Sequence, residues 1–369
     1  MVGKVSEYTS WSAAVYYSRI VKEALRVNGH NPDLLGTITG FGEAGSALVS
    51  CVDKVIFTGS PAIGKKVMET ASKTLTPVIL ELGGKDAFVI MDDCKLSNVV
   101  PWVMRGCFQN CGQNCVGSER ILVYESIHDA FLRTVVPRVQ ALRQGSPFCG
   151  TGIDCAALVM PAQLALIQAL VDDAVAQGAT LHCGGQPSSP HQSAVAGQFY
   201  EPTVLSGVTE SMRIFQEEVF GPVMTVIQVP NDSDAACVSL VNNCAFGLGS
   251  SVYGGNKTRA LRLGRQFRTG MLCINDFGSN YLVQSLPFGG VKESGFGRFA
   301  GVEGLRALCL ERSVLTDRIP GVQTPIPAPI DYPIEKAKGL PFANALIQLF
   351  YNEDIVAKIL AIVGLAKYS

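Results

Sequence analysis

Cys115 follows Gly112-Gln113-Asn114, and this short segment carries the most chemical information in the chain. A thiolate is a far better nucleophile than a thiol, and it is favoured near positive dipoles such as a helix N-terminus. Taken alone, the cysteine reads more simply as a buried structural thiol, the commoner fate of that residue. Glu81 supplies the matching base. It ends the apolar run Pro77-Val-Ile-Leu-Glu81-Leu82 and precedes Gly83-Gly84-Lys85. A carboxylate so placed lies at the carboxyl edge of a strand, where α/β proteins build their ligand sites. Burial there raises its pKa toward that of a useful general base. The plainer reading is a strand-end carboxylate facing water.

Other segments read as ligand-binding. Phe57-Thr58-Gly59-Ser60-Pro61-Ala-Ile-Gly64 has the form of a strand, a turn and a helix start. A helix N-terminus binds phosphate through free N–H groups and its dipole. Gly40-Phe-Gly42-Glu-Ala-Gly45 matches G-x-G-x-x-G literally. Its nearest downstream acid, Asp53, comes too early for the ribose-binding acid expected about 20 residues on, so it is not a standard dinucleotide fingerprint. Glu217-Glu218-Val219-Phe220-Gly-Pro222 offers a carboxylate for a ribose and a ring to wall it, or a plain turn after a helix.

The elements that must hold these residues alternate between apolar strands and amphipathic helices, which predicts α/β units with parallel sheets. Helices are expected over 12–27, 61–73, 99–108, 129–144 and 162–177, and strands over 36–39, 54–58, 77–82, 87–91, 120–124 and 180–183. In the first helix Ala13, Tyr16, Tyr17, Ile20, Val21 and Leu25 share one face. Ser60 is the expected N-cap of the second, with Pro61 at its first position. Residues 186–197 read as a polar surface loop. Prolines at 320, 325, 327, 329 and 333 favour an extended linker. Two apolar helices are expected after it, over 341–351 and 354–367.

Composition narrows the class. With 369 residues, 47% of them hydrophobic, the chain can bury large cores in two or more domains. A net charge of −1 gives no field suited to nucleic acid. The 12 cysteines lack a secreted disulfide framework, which favours reduced thiols and an intracellular setting. The histidines, His30, His128, His182 and His191, stand apart from the cysteine pairs, so no metal site is expected. Met1-Val-Gly-Lys-Val-Ser-Glu has no apolar h-region of a signal peptide, and no stretch approaches the roughly 20 apolar residues of a membrane span.

Phe57-Thr-Gly-Ser60, Glu81-Leu-Gly-Gly-Lys85, Gly112-Gln-Asn-Cys115, Glu218-Val-Phe220-Gly-Pro and Pro287-Phe-Gly-Gly-Val-Lys292-Glu-Ser-Gly295 occur in an order and at spacings that resemble the aldehyde dehydrogenase superfamily, across residues 1–315. Met271-Leu-Cys273-Ile-Asn275-Asp-Phe277, Phe299-Ala-Gly301 and the proline-rich tail look most like a divergent eukaryotic branch, similar to plant family twenty-two. The resemblance implies an α/β fold with an incomplete Rossmann-type cofactor domain and an α/β catalytic domain. It implies a partial NAD-binding domain over 1–85, a catalytic domain over 86–290, a return and oligomerisation segment over 291–319, and a linker with a helical tail over 320–369.

By the same resemblance, Cys115 attacks an aldehyde to give a thiohemiacetal, hydride transfer to NAD leaves a thioester, and Glu81 activates the water that hydrolyses it. Lys4 and Glu7 would hold the adenosine ribose, Gly42 and Gly45 would lie beside the adenine, and Phe57, Thr58, Gly59, Ser60 and Leu82 would line the cofactor path. Glu218 would take the nicotinamide-side ribose with Phe220 beside it, and Phe288 would face the substrate tunnel. Glu7 would repel a 2′-phosphate, which favours NAD over NADP. The motif around Lys4 departs from the family's pattern, with Val5 where proline is usual. The chain starts inside the family's cofactor domain, so the first strand, an oxyanion-hole asparagine and the subunit-bridging strands are expected to be missing from it. A truncated, catalytically impaired paralogue acting as an assembly partner is therefore the alternative to an active, homo-oligomeric dehydrogenase. The expected location is cytoplasmic, or at a membrane through an N-terminal anchor or through peripheral contact of the tail.

Overall fold

A computed structural model of the chain describes residues 1–9, 11–148, 152–189, 197–323 and 325–368. His191 and most of the expected polar loop lie outside the described residues. Met1–Leu310 and Glu311–Ser369 form separate compact units.

Among the described residues of the first unit there are fourteen strands: β1 Val2–Lys4, β2 Gly36–Ile38, β3 Val55–Thr58, β4 Val78–Glu81, β5 Asp86–Ile90, β6 Ser118–Tyr124, β7 Thr180–Cys183, β8 Pro187–Ser188, β9 Phe199–Tyr200, β10 Thr203–Ser206, β11 Val223–Val229, β12 Ser250–Tyr253, β13 Cys273–Ile274 and β14 Gly295–Phe296. The largest sheet runs β13-β12-β5-β6-β11-β10-β7. Its neighbours are parallel except for the edge pair β10–β7. Strands buried on both faces should be continuously apolar rather than alternating. Phe88-Val89-Ile90 and Ile121-Leu122-Val123 follow that rule and are fully buried. The helices Leu96–Phe108 and Glu125–Gln140 cover this sheet, burying Val99, Val100 and Val103 from the first and Phe131, Val135 and Val139 from the second.

The cofactor-side strands form two smaller sheets, the parallel pair β1-β2 and the three-stranded β14-β4-β3. β4 ends at Glu81, opposite Thr58 of β3 and Gly295 of β14. The chain then turns at Gly83, whose φ is +76°, and enters the large sheet at Asp86. Asp86 pairs with Ser118, the first residue of β6. That register sets the turn between β4 and β5, which directly follows Glu81, beside the loop before β6, which carries Cys115.

Two expectations are corrected. The segment expected as one helix over 12–27 opens as a π-helical stretch, Trp11–Tyr17, before the α-helix Ser18–Val27. Its apolar face is not buried: Ile20 and Val21 are 50% and 40% exposed. A 3.6-residue period specifies a face but not what covers it. The expected loop 186–197 is flanked by a short antiparallel ladder, β8 with β9.

In the second unit the proline-rich stretch leads to the helices Lys336–Tyr351 and Ile355–Tyr368. They pack on each other through Phe342, Ala345 and Ala361, and Gly364 allows the close approach to Ala345. The first begins five residues before Pro341, the earliest part of the expected helix. Proline removes one N–H and crowds the turn before it, yet tertiary packing can carry a helix through such a residue. No helix of the described residues is long and apolar enough to cross a membrane.

The Cys115 loop is one of the tight backbone features of the first unit. Asn110, Cys111 and Gly112 are successive left-handed residues, with φ of 53°, 59° and 71°. A Cβ on Gly112 would stand 2.0 Å from the Gly221 carbonyl oxygen, a backbone atom that cannot rotate away. Gly112→Ala is expected to destabilise the protein by about 3 kcal/mol, from left-handed strain plus overpacking. Equilibrium urea denaturation checks this; an unchanged midpoint and slope would show that the loop relaxes freely.

Candidate active site

Cys115 and Glu81 meet in the structure. Glu81 is 2% exposed, and the Cys115 thiol lies against its carboxyl. Burial pushes the Glu81 carboxyl above its ordinary range, partly offset by hydrogen bonding with the Cys115 thiol and the Gly83 N–H. Its Oε1 has no hydrogen-bond partner among the described residues. Cys115 itself is only partly buried. Its thiol is held far above the ordinary range by burial first, then by the negative charges of Glu81 and Asp86. The surroundings of the sulfur are thus acidic, where the sequence reading looked for a positive dipole. The resting group is a thiol, and its proton must pass to a base before the sulfur can attack.

Asp86, Glu119, Lys85 and Arg120 complete this region and were not singled out in the sequence for any role. Lys85 Nζ donates to Glu119 Oε2 at 2.7 Å, with the lysine side chain fully buried and the glutamate side chain 7% exposed. The same carboxylate accepts from the N–H groups of Val219 and Phe220, each at 2.7 Å. Arg120 Nε donates to the Lys85 carbonyl at 2.9 Å, and its other nitrogens reach the carbonyls of Leu240 and Val241. Asp86 accepts from Gly249 N–H at 3.0 Å, and burial pushes its carboxyl up to about 7. The signal that could have found this group is Ser118-Glu119-Arg120 at the head of an apolar strand. Charged residues are almost never fully buried unless paired.

Glu218 stands above the Gly83-Gly84 turn. Its Oε1 accepts from Gly84 N–H at 3.0 Å, and a Cβ on Gly83 would lie 2.5 Å from its carboxylate. Burial and the nearby Glu119 charge push its carboxyl up to about 8. Phe220, two residues on, holds an unusual φ of +49°.

The remaining cofactor candidates fall into two groups. Phe57 and Thr58 end β3, with Thr58 opposite Glu81, and Gly59 and Ser60 follow the strand; Gly59 N–H donates to the Glu81 carbonyl at 3.0 Å. Ser60 is the N-cap of the helix Pro61–Ser72, but its side chain makes no capping bond; Pro61 has no N–H, and the N–H groups of Ile63 and Gly64 donate to the Ser60 carbonyl, which leaves those of Ser60 and Ala62 for an anion. The Phe57 ring folds over Gly59, leaving no room there for a Cβ. Leu82 is buried and packs on Gly64, which lets this helix sit close to the strand. Lys4 and Glu7 form the second group, paired with each other at 3.1 Å after β1. Gly42 and Gly45 begin the helix Gly42–Val49 with open space where a Cβ would stand. A helix start with free donors, glycines facing open space and a carboxyl poised over a glycine turn suit a dinucleotide.

Phe288 exchanges backbone hydrogen bonds with Phe299, and the two rings stack at 6.2 Å. It shares with Cys115 the small apolar cluster of Val116, Leu248 and Met271. A cleft opens beside this cluster, lined by Asp86, Val116, Met271, Phe277 and Phe288.

The model of the aldehyde dehydrogenase family matches residues 1–314. An aldehyde dehydrogenase-like protein of Schizosaccharomyces pombe is 38% identical over 95% of this chain and 67% of its own length. One of Saccharomyces cerevisiae is 37% identical over the whole of this chain and 58% of its own. Among solved structures, a betaine aldehyde dehydrogenase mutant of Staphylococcus aureus in complex with NAD+ is similar with a TM-score of 0.78 and 32% identity, covering 87% of this chain and 64% of that one. The chain thus spans between 58% and 67% of the length of these two yeast relatives. The match over most of the chain, at this level of identity and on this α/β framework, places it in the aldehyde dehydrogenase family.

Proposed function

We propose that this chain carries the catalytic groups for NAD-dependent oxidation of an aldehyde to a carboxylic acid, with Cys115 as nucleophile and Glu81 as general base. The observation that carries the reading is the Cys115 thiol set against a buried carboxyl whose Oε1 has no partner. Glu81 takes the Sγ proton as sulfur adds to the aldehyde carbon, giving a thiohemiacetal. NAD, when bound, supplies the acceptor for the hydride that leaves this carbon, and a thioester on Cys115 remains. Glu81, having released its proton, then removes one from water as the oxygen adds to the thioester. The tetrahedral adduct collapses, the carboxylic acid leaves, and Cys115 recovers its proton. The raised pKa of Glu81 suits both steps, because a base much weaker than its target takes few protons.

Residues 1–85 would hold the cofactor and 86–290 the reacting groups. Residues 291–319 would return to close the site, as β14 does on β4, and 320–369 would form the linker and tail. The helix start at Ser60 suits the pyrophosphate, Glu218 a ribose, and Gly42 and Gly45 the adenine side. Thr58, Phe57 and Leu82 would shape the path between them. The Glu7 carboxyl is kept below its ordinary range by a backbone hydrogen bond and by Lys4. It stays ionised at neutral pH and disfavours a 2′-phosphate, which supports NAD over NADP. Phe288 would border the aldehyde. Assembly into a homo-oligomer belongs to the same proposal.

Thioester chemistry can be tested without cofactor. With p-nitrophenyl acetate, the wild-type protein is expected to release a burst of nitrophenolate and to carry an acetyl group on Cys115, whereas Glu81→Gln is expected to slow both the burst and the later hydrolysis, because acylation and deacylation have both lost their base. Peptide mapping locates the adduct, and Cys115→Ser is expected to abolish the burst. Acetyl groups appearing instead on the exposed Cys51 or Cys309 would remove Cys115 from the mechanism.

Wild-type deacylation is expected to rise with pH. A carboxyl raised by burial is protonated, and idle as a base, up to a higher pH than a free one. The midpoint of this limb should therefore lie above 4.5, the ordinary value for a glutamate. A pH–rate profile of acetyl-enzyme hydrolysis measures it. A midpoint at or below 4.5 would contradict the buried-base assignment.

A further inference from the structure

One carboxylate joins the three loops of the site. Lys85 lies four residues after Glu81, Glu119 four after Cys115, and Val219 and Phe220 directly after Glu218. Glu119 receives the Lys85 ammonium on Oε2 at 2.7 Å, Val219 N–H on the same oxygen at 2.7 Å, and Phe220 N–H on Oε1 at 2.7 Å. All are short, charge-assisted bonds in a buried setting, the strongest class a protein makes. The neighbouring Arg120 holds the Lys85 carbonyl at 2.9 Å, so Lys85 is gripped by side chain and backbone from consecutive residues of β6. Phe220 keeps a left-handed φ of +49°, which a bulky residue adopts only when its surroundings impose it. Its N–H is one of the two that the Glu119 carboxylate holds.

We infer that Glu119 is the positioning residue of the Glu218–Phe220 segment. By fixing the two N–H groups that follow Glu218, it aims the Glu218 carboxylate across the Gly83-Gly84 turn, where it meets Gly84 N–H at 3.0 Å. This rests on the reading that Glu218 takes a ribose of the cofactor. Glu119 itself is held by protein groups on both oxygens and touches neither thiol nor substrate. Its role is to set the place of the cofactor carboxylate relative to Cys115, since one rigid strand start carries both Glu119 and the Cys115 loop.

Three variants of the full chain test this: Glu119→Gln, the paired Lys85→Met/Glu119→Gln, and Lys85→Met. The first leaves a buried ammonium without a counter-charge and can fail to fold. The pair removes both charges and is expected to fold. Hydrogen exchange read at single amides should show Val219 and Phe220 exchanging at least about tenfold faster in the paired variant, the scale of one lost charge-assisted bond. The β5 and β6 amides should stay protected. Calorimetry with NAD should show affinity falling by about tenfold on the same scale. Lys85→Met leaves the carboxylate on both N–H groups and should keep their protection. Unchanged exchange at Val219 and Phe220 in the paired variant overturns the inference. So does faster exchange with unaltered NAD affinity. Wild-type protein that binds no NAD sinks the cofactor reading instead, and the exchange arm alone then decides whether Glu119 holds the segment.

Discussion

Acids and bases meet where the chain crosses from the small three-stranded sheet to the large one, and the Lys85–Glu119 pair sits at their centre. Taking an ion pair out of water costs several kcal/mol per ion unless geometry and further hydrogen bonds compensate, and breaking such a pair costs about 3–5 kcal/mol. Glu119 meets that condition by accepting from Lys85, Val219 and Phe220 together. The arrangement also commits the lysine. With its ammonium salt-bridged to Glu119, the remaining acids keep the penalty of burial, and Glu81, Asp86 and Glu218 are all shifted upward.

This distribution of charge explains the state of the Cys115 thiol. Three acids raise the Cys115 thiol by their charge, beyond the effect of burial. A thiol in such a place is a poor nucleophile by itself, and in the proposed mechanism it depends on Glu81 to take its proton. The same burial that suppresses the thiolate makes Glu81 a stronger base. The proposed nucleophile and base therefore share one electrostatic setting, in which each affects the proton of the other.

Backbone geometry holds this unit in place. Gly112 presses on the Gly221 carbonyl, Gly83 leaves room for the Glu218 carboxylate, and Gly295 lies against the Leu80 carbonyl with a φ of +97°. At each of these points a side chain would push apart two loops that the site needs in contact. Long apolar strands supply the rigid base, since β5 and β6 are buried along nearly their whole length. Their register, Asp86 opposite Ser118, translates sheet pairing into the approach of Glu81 and Cys115.

The α/β class, the parallel large sheet and most helix positions were legible in the sequence, because periodicity and turn residues are local properties. Cys115, Glu81, Glu218 and the Phe57–Ser60 turn stood out for the same reason: each sits in a short pattern with its own chemical meaning. Their roles rest on the proposal above, but their places were visible in one dimension. Glu119, Lys85 and Asp86 were not, since their partners lie far along the chain: Glu119 meets residues 34 positions before it and 100 and 101 positions after it. No local pattern encodes a pairing of that span. The acidic setting of Cys115 was likewise hidden, because the charges around the sulfur come from separate strands and loops that only the folded sheets bring together. The sequence determined which groups are available for chemistry. The tertiary structure decided which of them share a low-dielectric space, and that sharing sets where their protons reside.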